Sequence, residues 1–366
     1  MKKKLKIFVG VSGGVDSSVS AALLKDAGHN VTGVFIRTWT PEWTVCTWRD
    51  ERRDAMRVCA HLGIPFMECD AEEAYKRGVA DYMIEEYRLG RTPNPDVMCN
   101  RVVKFGALWE FALAHGADAI ATGHYAQVRQ EAKGERQEEN SAFTMLRGVD
   151  EGKDQSYFLW TLTQADLAHT SFPIGHLPKD EVRKLARKYR LPTATKKDSQ
   201  GVCFLGLLDM KEFLSHYIET HEGDVLDRSG NVIGKHPGAL FFTIGERHGF
   251  TTNKKSDNDK PHYVIAKDMM HNTITVTELE ERKVQDEYTE HAQVELEKVS
   301  WVGSAPIKNE MLTAQLLYHG KKIACSIGET SMGKVRVILY ATPFIASGQS
   351  VVIYRGEECL GGGVVA

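Results

Sequence analysis

Apolar and polar positions alternate with two different rhythms along this chain. In the first 205 residues, short apolar runs hand over to longer amphipathic stretches, and each stretch is closed by a glycine. Leu5–Val11 reads as a buried strand. Val15–Ala27 then carries a helical pattern that stops at Gly28, where a glycine suits the left-handed residue after a helix. Val31–Ile36 is strand-like, Arg49–Leu62 helical up to Gly63, and Ile64–Glu68 strand-like again. Glu72–Leu89 adds a helix, Val102–His115 another ending at Gly116, and Ala119–Thr122 a strand. Helix, glycine, short apolar strand, three times over, is the βαβ pattern. It predicts an α/β fold with an N-terminal doubly wound parallel sheet.

Beyond about residue 205 the period shortens. Tyr263–Ala266, Thr273–Thr277, Ala292–Lys298, Thr313–Leu317, Lys334–Tyr340 and Ser350–Tyr354 are β-branched or alternating and are separated by turn residues. This predicts a small central linking domain over 206–285 and a C-terminal β-barrel over 286–366, after a catalytic domain over 1–205. Glu131–Ser141 and Thr251–Lys260 are polar and read as surface loops.

Composition narrows the class. The chain has 366 residues, 42% hydrophobic and 26% charged, an ordinary globular balance with room for two or three domains. A net charge of -3 excludes a surface coated in positive charge but leaves local basic patches possible. The apolar run in MKKKLKIFVGV is interrupted by Lys6 and ends at Ser12-Gly13-Gly14, so it does not read as a signal peptide. No segment approaches a membrane span, and the expected location is the cytoplasm. Seven cysteines (46, 59, 69, 99, 203, 325 and 359) form no CxxC pair. That argues against a structural metal site or a disulfide scaffold and leaves a reactive thiol as the role for any functional cysteine.

Candidate chemistry lies in loops. Val9–Ser18, VGVSGGVDSS, stands where the first strand should meet the first helix. Glycines there let backbone approach a phosphate, the helix N-terminus presents N–H groups, and Ser12, Ser17 and Ser18 add hydroxyls. The stretch is neither GxxxxGK[ST] nor GxGxxG. Pro93-Asn94-Pro95-Asp96 stiffens the approach to Cys99, and no helix is expected before Asp96. Cys203 lies in DSQGVCFLG, behind Lys196 and Lys197, whose charge favours a thiolate. His124 follows Thr122-Gly123 at the expected C-terminal end of a strand, where open α/β sheets bind ligands.

SGGVDS resembles the pyrophosphate loop of the N-type ATP pyrophosphatase superfamily. Within that group the chain resembles the tRNA-specific 2-thiouridylase family over nearly its whole length. The shared motifs are Ser12–Ser17, GRTPNPDxxCN at Gly90–Asn100, ATGHY at Ala121–Tyr125, KDQSYFL at Lys153–Leu159, KKDSxGxCF at Lys196–Phe204 and CLGGG at Cys359–Gly363. The resemblance implies an ATP-dependent enzyme, with Mg²⁺, that adenylates the C2 oxygen of the wobble uridine of a tRNA and replaces it with sulfur. It implies a persulfide on Cys203, a transient disulfide with Cys99, and Asp96 as proton acceptor. Gly10, Val11, Ser12, Gly13, Gly14, Val15, Asp16, Ser17, Ile36 and Gly123 become nucleotide contacts. Asn94, Pro95, Asp96, His124, Lys153, Asp154, Gln155, Leu317, Tyr318 and Gln349 become tRNA contacts, for Glu, Gln and Lys acceptors. A cysteine desulfurase or sulfur-relay protein becomes the persulfide donor.

The chain departs from that family at two places. Leu317-Tyr318 stands where an Arg-Tyr pair is usual, so one phosphate or base contact is either lost or moved to Lys321 or Lys322. Ile244–Phe250 replaces LGQRKGL. Two other functions fit parts of the pattern: an adenylating amidotransferase or ligase of the same superfamily acting on a small molecule, indifferent to Cys99 and Cys203, and a non-catalytic tRNA-binding or sulfur-carrier protein. The first lacks a visible glutaminase domain, and the second leaves the SGGVDS loop without a purpose.

Overall fold

The computed structural model describes residues 3–44, 48–131, 143–198, 210–253, 260–278, 291–331, 333–341 and 343–366. Cys203 and Cys46 lie outside the described residues. The first sheet contains β1 (Lys6–Gly10), β2 (Asn30–Arg37), β3 (Phe66–Asp70) and β4 (Ala119–Ala121), with Thr170–Ser171 at its edge. All its pairings are parallel, in the order β3-β2-β1-β4-edge. Alternation along β1 explains the two layers. Ile7 and Val9 face one apolar cluster with helix α1 (Val15–Asp26), helix α2 (Trp48–Leu62) and Val182 and Ala186 of the Lys179–Lys188 helix. Phe8 faces the other, with Tyr75, Val79, Val97, Val103 and Leu108.

The glycines expected after helices are where the pattern placed them. Gly28, Gly63 and Gly116 have φ of +85°, +60° and +73°. Some boundaries differ: the strand expected at Ile64–Glu68 is Phe66–Asp70, Thr251–Thr252 pairs as a strand at the start of the expected loop, and the helix at Pro95–Cys99 starts at Pro95, not at or after Asp96. Proline at the first helical position sacrifices only an N–H that has no intrahelical partner anyway. From there the chain stays helical through Asn100–Ala107 and Leu108–Ala114.

The central sheet has five strands, ordered Thr251–Thr252, Val232–His236, Gly223–Leu226, Thr273–Glu278 and His262–Asp268. The C-terminal sheet closes when Ala292–Trp301 pairs with Glu358–Val365. The closed set also holds Lys334–Leu339, Ile323–Ser331, Met311–Gln315 and Ser350–Arg355. The hairpin Ala126–Gln130/Phe143–Arg147 extends this sheet through the pair Glu358–Leu146, so the N-terminal part of the chain contributes strands to the barrel's sheet.

CLGGG is itself a strand, though glycine weakens strands. Packing supplies the reason. A Cβ at Gly361 would run into the Ser300 carbonyl, one at Gly362 into the Val351 carbonyl, and one at Gly363 would lie 2.9 Å from Leu296 Cβ. Glycine lets this strand lie tightly between its two barrel neighbours.

Candidate active site

Strand order reverses around β1: the chain goes from β1 outward to β2 and β3, then returns to place β4 on the other side. Such a switch point opens a crevice at the carboxyl ends of the strands. β1 ends at Gly10 and runs into Val11–Ser17, and β4 ends at Ala121 and runs into Thr122-Gly123-His124. The fold therefore brings together two motifs about 110 residues apart in sequence, at the place where this topology binds ligands.

Close approach is built into both loops. Gly13 has φ +72°, and a Cβ there would lie 2.6 Å from Glu51 O and 2.9 Å from Asp54 Cβ of α2. A Cβ at Gly123 would lie 2.6 Å from Ser17 N. The backbone of the ATGHY loop thus rests directly on the first turn of α1. Gly14 caps α1 with no side-chain hydrogen bond, which leaves the first-turn N–H groups for an anion. Ser17 Oγ lies 3.2 Å from Ser12 Oγ and accepts from Ser12 N at 3.2 Å, fixing the curl of the loop. Ile36, the penultimate residue of β2, lies beside Gly10, where an added Cβ would lie 3.9 Å from Ile36 Cδ1.

Charge is arranged around Asp16. Lys179 Nζ donates to both Asp16 carboxylate oxygens at 2.8 Å, and Tyr125 OH donates to Oδ1 at 2.8 Å. The same ammonium lies 2.9 Å from Asp198, which also receives Lys153 at 2.9 Å and Arg183 at 2.6 Å. Burial works against the charge on Asp198, but hydrogen bonds from Lys153 and Lys179 outweigh it and pull the carboxyl down to about 2. Burial and the Asp16 charge push the Tyr125 phenol well up, so it stays a donor. Lys196 Nζ donates to Asp54 at 2.8 Å, tying the segment that leads toward Cys203 to the helix behind Gly13.

The PNPD stretch is clamped from three sides. Thr92 N donates to Ser347 O at 2.8 Å, and Thr92 Oγ1 lies 3.2 Å from Thr243 Oγ1 in the central domain. Arg91 pairs with Glu297 of the barrel at 2.8 Å. Asn94 caps its helix by accepting from Val97 N at 3.3 Å and hydrogen-bonds Tyr157. Pro95 and Asp96 are half-buried, and Cys99 is fully buried within the apolar layer. His124 is buried, with Nδ1 2.7 Å from Thr122 Oγ1 and Nε2 3.4 Å from Lys104 Nζ. Burial, reinforced by Lys104, keeps its pKa well below the usual histidine range, so the ring is neutral.

The three residues of KDQ point different ways. The Lys153 side chain is 39% exposed. Asp154 turns inward: it accepts from Gly148 N at 3.0 Å and Ser156 N at 3.1 Å and pairs with buried Arg147 at 3.2 Å. Gln155 Oε1 accepts from Tyr125 N at 3.1 Å, joining this loop to ATGHY. On the barrel, Leu317 is exposed, and Tyr318 packs on Phe158 with centroids 4.5 Å apart. Burial raises the Tyr318 phenol, helped by Asp154, Asp150 and Asp96, which puts these acids near the barrel tip. Gln349 turns back to accept from Ala346 N at 3.1 Å, in the loop that meets Thr92.

Sequence reasoning missed Tyr125 as a donor to Asp16, and it missed Lys179 and Asp198. Lys179 sits in PKDEVR, indistinguishable from an ordinary helix start. Nothing local marks a partner 163 residues away.

Three family descriptions match consecutive parts of the chain: a tRNA methyl transferase HUP domain at residues 5–207, a tRNA methyl transferase PRC-barrel domain at 211–278, and an aminomethyltransferase beta-barrel domain at 291–365. The chain is 41% identical over 368 residues to the tRNA-specific 2-thiouridylase MnmA of Enterococcus faecalis, covering 99% of this chain and 95% of that protein. It is 40% identical over 365 residues to the protein of the same name from Bacillus subtilis, covering 98% and 94%. Among solved structures it is similar to the U34-tRNA thiolase NcsA of Methanococcus maripaludis, at 19% identity and a TM-score of 0.36, covering 59% of this chain and 64% of that one. Relatives of this identity over the full length leave one conclusion: the chain belongs to the tRNA-specific 2-thiouridylase family.

Proposed function

We propose that this chain is an ATP-dependent tRNA sulfurtransferase that makes 2-thiouridine at the wobble position. The observation that carries this reading is the SGGVDS loop at the switch point, packed so closely against Gly123 that a Cβ there would lie 2.6 Å from Ser17 N, in a chain whose full-length relatives are named tRNA-specific 2-thiouridylase. The C2 oxygen of uracil is a poor leaving group. ATP adenylates it and releases pyrophosphate, and open α1 amides with the Ser12 and Ser17 hydroxyls hold the phosphates. Asp16 is the loop's own carboxylate and would help hold a Mg²⁺, which would supply charge neutralisation for the phosphates.

The terminal sulfur of a Cys203 persulfide then attacks C2, and AMP leaves with the former C2 oxygen. Cys99 attacks Cys203 Sγ, the persulfide bond breaks, sulfur remains on C2, and a Cys99–Cys203 disulfide forms for later reduction. Asp96 takes the proton. Asn94, Pro95 and Asp96 hold the flipped base, His124 and Lys153 contact the tRNA with the barrel tip, and Asp154 and Gln155 shape the loop that presents Lys153. Gln349 and Tyr318 act from the barrel side. The persulfide comes from a cysteine desulfurase or a relay protein. No helix among the described residues is long and apolar enough to cross a membrane, in keeping with a tRNA-modifying enzyme of the cytoplasm.

The test combines protein, ATP, Mg²⁺, a persulfide source and unmodified tRNA, with thiolated uridine read by mercury-gel shift and AMP measured in parallel. Thiolation is expected in the wild type. Cys203→Ser should abolish it while adenylation survives. Full thiolation by Cys203→Ser sinks the mechanism.

A further inference from the structure

Lys179 is a lysine 93% removed from solvent, and its ammonium bridges two carboxylates that belong to different motifs. On one side is Asp16 in the first turn of α1, inside the pyrophosphate loop. On the other is Asp198, which also holds Lys153, the outward-facing residue of the KDQ loop. The chain of contacts therefore runs Asp16–Lys179–Asp198–Lys153. Its links are 2.8, 2.9 and 2.9 Å, and it connects the nucleotide end of the crevice to the proposed RNA-facing loop. Arg183 shares Asp198 at 2.6 Å, so three cations depend on one carboxylate. Asp198 is held fully ionised at neutral pH.

Two anionic ligands at the ends of such a chain compete for its cations. A triphosphate beside Asp16 attracts the Lys179 ammonium. Asp198 then leans harder on Lys153, and Lys153 has less to offer an RNA phosphate. An RNA phosphate at Lys153 acts in reverse. Binding free energies are reciprocal, so each ligand must weaken the other by the same factor.

We propose that Lys179 and Asp198 are positioning residues that form an ionic relay, through which nucleotide at the Ser12–Ser17 loop and RNA at Lys153 antagonise one another's binding. The relay rests on the reading that these two ends hold ATP and tRNA. It gives the enzyme a way to let go of nucleotide products while the RNA is still held.

The experiment measures affinities by titration, with no turnover. A non-hydrolysable ATP analogue with Mg²⁺ and unmodified tRNA are each titrated alone and in the presence of the other. The wild type should show mutual weakening of about fivefold, at the lower end of ordinary coupling. Asp198→Asn keeps the shape and removes the shared anion. It should tighten both ligands when each is titrated alone and bring the coupling factor within about twofold of one. Glu151→Gln, an exposed acid nearby, makes the same charge change and should leave the fivefold coupling in place. Lys153→Gln cuts the chain at its exposed end and should abolish the coupling without touching the buried links.

A purely structural role for Asp198 would give weaker binding and a lower melting temperature in Asp198→Asn, which overturns the proposal. So does a wild-type coupling factor of one with both ligands bound, or coupling that survives in Asp198→Asn and Lys153→Gln. A wild type that binds the nucleotide and no tRNA overturns the functional reading first, and the relay with it.

Discussion

The Ser12–Ser17 loop, the proposed phosphate cradle, and the Asn94–Cys99 turn, the proposed thiol site, are built on opposite principles. The loop is backbone: at Gly13 and Gly123 the chain packs so closely that a Cβ would lie 2.6 Å from a neighbouring backbone atom, and no side chain caps the amides of α1. The turn is side chain and enclosure. Asn94 caps it, Thr243 and Ser347 clamp its approach, and Cys99 is fully buried beneath it. On the proposed reading, the difference teaches that the nucleotide half of the site is preformed, whereas the thiol half would have to open for Cys99 to act. A phosphate cradle can stand in water without harm. A reactive thiol held ready in water would be oxidised or would react with the wrong partner.

The largest effect should come from breaking the preformed half. At Gly13→Ala the new methyl meets both the Glu51 carbonyl and a left-handed backbone at φ +72°. The left-handed residue costs roughly 1–2 kcal/mol and overpacking roughly 1–3 more. Gly123→Ala carries only the second cost, against Ser17 N. Titration with an ATP analogue should show binding lost in Gly13→Ala and weakened by between about fivefold and about 150-fold in Gly123→Ala. Wild-type affinity in both variants would mean that the nucleotide half rearranges as freely as the thiol half, and the contrast would fail.

A smaller change should loosen the closed half. The Tyr157 hydroxyl reaches Leu316 O at 2.9 Å and Ser350 O at 3.2 Å in the barrel and hydrogen-bonds Asn94 at the start of the turn. Tyr157→Phe removes these ties and leaves carbonyls unpaired, at about 1–2 kcal/mol. Iodoacetamide labelling followed by peptide mass analysis should find Cys99 protected in the wild type. Labelling in Tyr157→Phe should be roughly five to thirty times faster, the factor those energies correspond to. Cys99 labelled at the rate of an exposed thiol in the wild type would show that the turn opens without help.

The same contrast explains what could be read from the chain alone. The parallel sheet was legible because its helices end at Gly28, Gly63 and Gly116, and because buried strands read as apolar runs. SGGVDS was legible because its chemistry is in consecutive residues. The Lys179–Asp16 pair was not, since it joins a residue of that loop to a distant lysine that looks like surface charge. Asp154 shows the opposite error. In KDQ it reads as one charged turn with Lys153, yet buried Arg147 draws it inward. Sequence periodicity reports which face a residue occupies. It does not report which distant partner the fold will bring to that face. Strand Ile323–Ser331 and the glycine-rich Glu358–Val365 went unread for a related reason, since closure of the barrel decides their state and not their own composition.

The smallest predicted effect concerns His124, which sits between the two halves. Burial and Lys104 lower its pKa in the fold, while an unfolded chain takes up a proton near pH 6.5. Below that pH the unfolded state binds the extra proton, so stability falls as pH drops from about 6.5 until the folded pKa is reached. His236 in the central sheet is lowered by burial in the same direction. Asp198 adds nothing in this window, because its carboxyl is ionised in both states well above its value of about 2. Each such histidine contributes a slope of at most about 1.4 kcal/mol per pH unit. Denaturant melts at pH 7.5, 6.5 and 5.5 should therefore show falling stability in the wild type and a shallower fall in His124→Gln, which cannot take up the proton. If the two slopes coincide, His124 is not held neutral between the halves, and the junction is wetter than the packing of Phe105 and Phe172 around the ring implies.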